Sequence, residues 1–140
     1  MVIIILKFFH FLALFSAGGI GVGGAIVQSV YIKEGKVPEP HLGRAFRILG
    51  FIGLISIVTL WITGVILAQL LYGGFSINIA FTIKIIGAAT ILIVSCISNF
   101  HVFSSFKNQS PPNTKLMKKM MVIGRSGLVL ALGGAAVAFI

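Results

Sequence analysis

Ala45 to Tyr72 reads AFRILGFIGLISIVTLWITGVILAQLLY, and Arg47 is its only charged residue. About 20 consecutive apolar residues cross a hydrocarbon core of about 30 Å as a helix, so this stretch is expected to span a membrane. Three further stretches meet the same standard: Val2 to about Val30, Ile79 to Phe103 and Met120 to Ile140. The segments between them are polar or rich in glycine and proline: Lys33 to His41, Gly73-Gly74-Phe75-Ser76, and Asn108 to Asn113. In lipid a backbone must satisfy its polar groups internally, so these breaks belong outside the membrane and the runs belong in helices. The expected fold is all-α, a transmembrane four-helix bundle formed by residues 1–140 as one domain.

Composition points the same way. Hydrophobic residues make up 58% of the chain and charged residues 9%, too little polar surface to coat a water-soluble globule of 140 residues. No connecting segment is long enough to bury a core of its own, so any chemistry sits among the helices or at their ends. The first stretch is expected to be retained as a helix and not cleaved as a signal peptide, because Lys7 follows apolar residues instead of forming a charged start. Cys96 is the chain's one cysteine; it excludes an intramolecular disulfide and reads as a small apolar residue within its span.

The basic residues set an expected orientation. Lys33, Lys36, Arg44 and Arg47 flank the first connection, Lys107, Lys115, Lys118 and Lys119 fill the third, and the second has none. By the positive-inside rule both basic connections face the cytoplasm and both termini lie outside, in a bacterial inner membrane. The net charge of +9 would favour anionic lipid headgroups at the cytoplasmic face. Nucleic acid is not an expected partner, because these cations are not interleaved with aromatic platforms.

An ionisable group within hydrocarbon is costly unless it is paired, solvated or ligated, so the few in these spans carry the functional reading. They are Lys7, His10, Lys84, His101 and Arg125, with no acidic residue among them, which argues against a proton-coupled exporter built around a membrane carboxylate. Lys7 and Arg125 can snorkel to an interface, Arg125 from one turn into the fourth helix, and Lys84 has that alternative too. His41 reads as a solvated loop residue and His101 as an interfacial one. At 1.5 Å per residue, His10 lies about 12 Å from the start of the first helix and Lys84 about 9 Å from the start of the third. Thr63 and Trp61, counted back from Tyr72, lie at about 13 and 16 Å, and Gly133-Gly134 at about 10 Å, in the same layer. His101 is about 25 Å further along the third helix than Lys84, so His10 and His101 cannot be two axial ligands of one haem. A neutral imidazole in mid-helix needs a hydrogen-bond partner or a metal, which makes His10 the strongest candidate.

Glycines mark surfaces of close approach. Gly19 and Gly23, within Ala17 to Ala25, have the four-residue spacing that lets membrane helices meet backbone to backbone. Gly124, Gly127, Gly133, Gly134, Ala135 and Ala136 give the fourth helix a similar face. Neighbouring helices are the default occupants; a planar cofactor, a second copy of the chain or a larger membrane complex are alternatives.

The run Leu6-Lys7-Phe8-Phe9-His10-Phe11-Leu12, the second-helix segment Thr59-Leu60-Trp61-Ile62-Thr63-Gly64-Val65-Ile66-Leu67-Ala68 and the third-helix opening Phe81-Thr82-Ile83-Lys84-Ile85-Ile86 together resemble a known superfamily. It is the four-helix membrane superfamily of CopD-like copper-resistance domains and HemJ, the bacterial protoporphyrinogen oxidase, and the resemblance covers nearly the whole chain. It implies haem b held through His10 as metal ligand, with Lys84 as the catalytic or cofactor-pairing residue and Trp61 and Thr63 lining the cofactor, in a membrane oxidoreductase. The chain departs from HemJ proteins at Leu14 to Gly19, where they carry a Trp-Phe-Ala-Gly pattern, and at Ser95 and Cys96, where they carry a histidine. Met117, Met120 and Met121, the one soft-ligand cluster a CopD-like reading would use, read as packing or anchoring residues. The alternative from another class is a non-catalytic small subunit packing its glycine faces against a larger membrane complex.

Overall fold

The computed structural model describes residues 1–35, 39–74 and 78–138, and these form four helices. They are α1 (Val2–Lys33), α2 (Pro40–Tyr72), α3 (Ile79–Lys107) and α4 (Thr114–Ala138). All four are long and apolar enough to cross a membrane, and the chain is a multi-pass membrane protein with an all-α, four-helix transmembrane fold. Lys36, counted above with the first basic connection, Phe75 and Ser76 of the second, and the last two positions of the fourth expected span lie outside the described residues.

The helices outrun the apolar runs because their end turns use local polar chemistry that a hydropathy reading passes over. α2 begins at Pro40, whose fixed φ and missing N–H suit a first helical position, so His41 is an exposed helical residue and not part of a loop. It ends at Gly73 in the left-handed conformation, with φ 71° and its N–H bonded to the Gln69 carbonyl. The Asn78 side chain accepts the Phe81 N–H at 2.8 Å and caps α3. α3 closes in a Schellman turn: Ser110 N–H bonds to the Ser105 carbonyl at 3.0 Å and Gln109 N–H to the Phe106 carbonyl at 3.2 Å. Gln109 holds the left-handed position there at φ 52°, where glycine is the usual occupant. The Asn113 side chain then accepts the N–H groups of Lys115 and Leu116 and starts α4 at Thr114, ahead of the expected Met120.

α1 packs on α2, α2 on α3 and α3 on α4, each pair antiparallel, so the α1–α2 and α3–α4 connections share one end of the bundle. The buried positions are small or polar: Ala13, Ala68, Ser56, Thr63, Ser105, Gly53, Gly87, Gly127 and Gly134, with Phe81 the one large exception among the described residues. Large apolar side chains point outward, Phe15 at 80% exposure and Ile79 at 81%. In water that distribution would be untenable. In lipid no hydrophobic force drives helices together, so contacts fall to residues that allow close backbone approach or hydrogen bonding, and bulky side chains face the acyl chains.

The closest contact is between α3 and α4. A Cβ on Gly87 would lie 2.5 Å from the Ala131 nitrogen and 2.6 Å from the Gly127 carbonyl oxygen; one on Gly134 would lie 2.6 Å from the Lys84 nitrogen. The glycines of α1 behave otherwise: a Cβ at Gly18, Gly19, Gly21, Gly23 or Gly24 would meet nothing within 4 Å. The expectation of a neighbouring helix against Gly19 and Gly23 is therefore not met among the described residues. The α1–α2 contact uses Gly53, beside Ile20, and Gly64, beside His10.

Candidate functional site

Near the end of the bundle that carries the chain's N-terminus, α1 presents His10 to α2. Its Nδ1 lies 2.9 Å from the Thr63 hydroxyl oxygen. The Thr63 hydroxyl has a single proton, directed at the Thr59 carbonyl at 2.7 Å with the Leu60 carbonyl at 3.3 Å, the back-bonding habit of a helical threonine. When the hydroxyl proton goes to the Thr59 carbonyl, Thr63 accepts from an Nδ1–H of His10; in the other tautomer the hydroxyl donates to Nδ1. A neutral ring with Nδ1 protonated keeps its lone pair on Nε2, the state in which histidine ligates a metal.

Thr63 is buried, and next to it Gly64 is in contact with the ring: a Cβ there would lie 3.4 Å from His10 Cε1, an ordinary van der Waals distance. Sequence reading did not single out Gly64; its signal was adjacency to Thr63 at the depth of His10.

Lys84 enters from α3. Its ammonium sits 5.3 Å from the Phe81 ring centroid, one turn back, and is within electrostatic reach of the His10 imidazole. The two residues expected to share a layer are thus in one neighbourhood, both half-buried, with α2 between their helices. The α4 backbone at Gly134 lies directly against Lys84 on the other side.

Trp61 is placed differently from Thr63. Two residues apart on a helix point about 200° from each other, and Trp61 faces α3, where its indole N–H donates to the Ala88 carbonyl at 3.3 Å. Ala88 lies one turn beyond Lys84, so Trp61 borders the lysine side of the layer while Thr63 serves the histidine side. α2 thereby links the two candidate residues through opposite faces.

His101 is part of the opposite end. Its Nε2 accepts the Asn113 backbone N–H at 2.9 Å and fastens the start of α4 to α3, which accounts for it without a ligand. Arg125 lies eleven residues after Thr114, deeper along α4 than the single turn expected, because α4 starts earlier.

A haem, which the resemblance implies, can be tested against these residues. A metal-ligating histidine ordinarily donates its second ring N–H to a protein acceptor that fixes tautomer and orientation, and the Thr63 hydroxyl is such an acceptor. No group of three or more His, Cys, Asp or Glu that could hold a metal occurs among the described residues. Iron at His10 would have to bring its own ligand frame, and a porphyrin does. His10 is the residue that would hold the iron, and Lys84 is a cation complementary to a propionate. Comparison with family models, with curated proteins and with solved structures finds no match to this chain.

Proposed function

We propose that the chain is a haem b-binding redox protein of a bacterial inner membrane, of the HemJ and CopD-like kind, with His10 as axial ligand. The observation that carries the reading is the His10–Thr63 hydrogen bond, which in the Nδ1-protonated tautomer leaves the Nε2 lone pair for a metal. Bound haem supplies one-electron chemistry at its iron. The chain's own residues supply the rest: Thr63 orients the imidazole, and Lys84 binds a carboxylate as a cation. Trp61, hydrogen-bonded to the Ala88 carbonyl of α3, stands on the lysine side of the layer. Protoporphyrinogen oxidation, with Lys84 as the catalytic group, is the activity the resemblance would give such a site.

The purified protein is expected to show a Soret band that shifts on reduction. His10→Ala should abolish haem retention, and Lys84→Met should weaken it or move the reduction potential, while both variants still insert. A colourless wild-type protein after expression with excess haem, or a His10→Ala protein with an unchanged spectrum, would overturn the reading.

The orientation proposed with it has both termini outside and contact with anionic lipid headgroups at the cytoplasmic face. A cysteine introduced at Ser110 should then resist labelling from the periplasm of intact cells; labelling there reverses the topology.

A second reading is favoured by one observation, the open glycine face of α1. It makes the chain a non-catalytic small subunit, or a homo-oligomer, that completes its packing through that face.

A further inference from the structure

The end of the bundle opposite the His10 layer contains an arrangement that the haem reading does not use. Arg47 of α2 places its guanidinium carbon 3.5 Å from the centroid of the Phe106 ring, near the end of α3. At that distance the guanidinium must lie face-on, because an edge-on approach would drive a nitrogen into the ring. A face-on stack occupies the π surface and leaves the N–H donors in the plane, directed outward as a fork. Phe106 is the partner described for the guanidinium. The chain has two acidic residues, Glu34 and Glu39, both in the α1–α2 connection. Arg44, one turn earlier on the same helix, and Lys107, beside Phe106, are exposed and add positive charge nearby.

Depth identifies the class of anion. α2 has 33 residues and is about 50 Å long at 1.5 Å per residue. That exceeds a hydrocarbon core of about 30 Å by about 20 Å, or about 10 Å at each end if shared equally. Arg47 is the eighth residue of α2 and lies about 10 Å from its start, at the boundary between acyl chains and headgroups. Its side chain leans toward the N-terminus of its own helix, and so toward the headgroups. Phe106 is largely exposed and offers its edges to the glycerol and upper acyl region.

We propose that Arg47, stacked on Phe106 and flanked by Arg44 and Lys107, is a binding site for the phosphate of an anionic phospholipid. A guanidinium fork matches two phosphate oxygens, and the ring fixes the fork before the lipid arrives, so less freedom is lost on binding. The site is local and specific, beyond the diffuse attraction of a basic protein end to a charged leaflet.

The test is native mass spectrometry of the full chain released from detergent micelles doped with phosphatidylglycerol or phosphatidylcholine. The wild type should retain one phosphatidylglycerol and at least fivefold less phosphatidylcholine. Arg47→Gln should lower phosphatidylglycerol retention at least fivefold. Arg47→Lys, which keeps the charge without the fork, should fall between. Phe106→Leu, which keeps the charge without the platform, should lower retention severalfold, and Arg125→Gln should leave it unchanged. Circular dichroism identifies any variant that has lost helicity, and Arg47→Lys with Phe106→Leu decide the matter if Arg47→Gln has. Equal retention of the two lipids, or wild-type retention in Arg47→Lys and Phe106→Leu, overturns the proposal. Complete displacement of the lipid by millimolar inorganic phosphate overturns the lipid assignment in favour of a free anion.

Discussion

The two outer seams of the bundle solve one problem by different means. Between α3 and α4 the backbones meet directly, with Gly87, Gly127 and Gly134 each occupying a place where a Cβ would press on the facing main chain. Between α1 and α2 the approach is looser, with the His10–Thr63 hydrogen bond across it, Ile20 beside Gly53 and the imidazole beside Gly64. The α3–α4 seam is made of shape and tolerates nothing larger. The α1–α2 seam is made partly of a polar side chain, the one proposed to ligate haem. A site that must exchange a ligand is better placed on the seam with side-chain freedom, and the backbone-packed seam supplies the rigid wall behind Lys84.

The first way to break this contrast is to add one carbon to the tight seam. Gly134→Ala would set a Cβ 2.6 Å from the Lys84 nitrogen and 2.7 Å from the Ala80 carbonyl oxygen, against main chain that cannot turn aside. Overpacking costs about 1–3 kcal/mol where side chains can yield, and here the helices themselves must separate, so the loss should reach about 3 kcal/mol. Thermal unfolding in detergent followed by circular dichroism measures it. A Gly134→Ala protein as stable as wild type would mean that α3 and α4 do not meet at this residue.

The polar seam should respond less in stability and more in function. Thr63→Val keeps the shape and removes the acceptor for His10 Nδ1–H. Hydrogen bonds between membrane helices average about 0.6 kcal/mol and reach about 1.7, so unfolding should shift by no more than that. The larger effect should be on the imidazole, whose tautomer and direction are no longer held, and haem retention should fall about 10- to 100-fold. Unchanged retention would remove Thr63 from the site and leave its bond to His10 as packing alone.

How much of this was legible in the sequence depends on what each residue had to signal. Four spans follow from apolar length alone, and all four are present. Their ends were read short at α2, α3 and α4, since Pro40, Gln109 and Asn113 act through caps and turns while hydropathy sees only polarity. Counting rise per residue was enough to bring His10, Thr63 and Lys84 into one neighbourhood, because depth in a straight helix is a one-dimensional quantity. Azimuth is not, and this is why Trp61 was grouped with Thr63 although it faces α3. The glycine reading held for α4, whose Gly124, Gly127 and Gly134 lie against α3, and not for Gly19 and Gly23: a four-residue repeat says that a face can be approached closely but not which helix approaches it. The repeat in α1 was the more conspicuous, yet the contact formed at Gly87 and Gly134.

That open face supplies the smallest expected effect on the fold and the sharpest use of the contrast. Gly19→Leu and Gly23→Leu add bulk where a Cβ would meet nothing within 4 Å, so neither should disturb any contact inside the chain. Replacing glycine also adds up to about 1 kcal/mol of helix propensity. The unfolding midpoint in detergent should therefore stay at or slightly above the wild-type value, opposite in sign to Gly134→Ala. Size-exclusion chromatography with light scattering, run on the same samples, separates the two functional readings. A chain that works alone keeps its mass and its haem in both variants. A chain that packs this face against a second copy or a larger complex loses that assembly, while its own helices remain as stable as before. A fall in the unfolding midpoint of the isolated chain would contradict both readings, since it would require a helix of this same chain to lie on a surface that α2, α3 and α4 leave open.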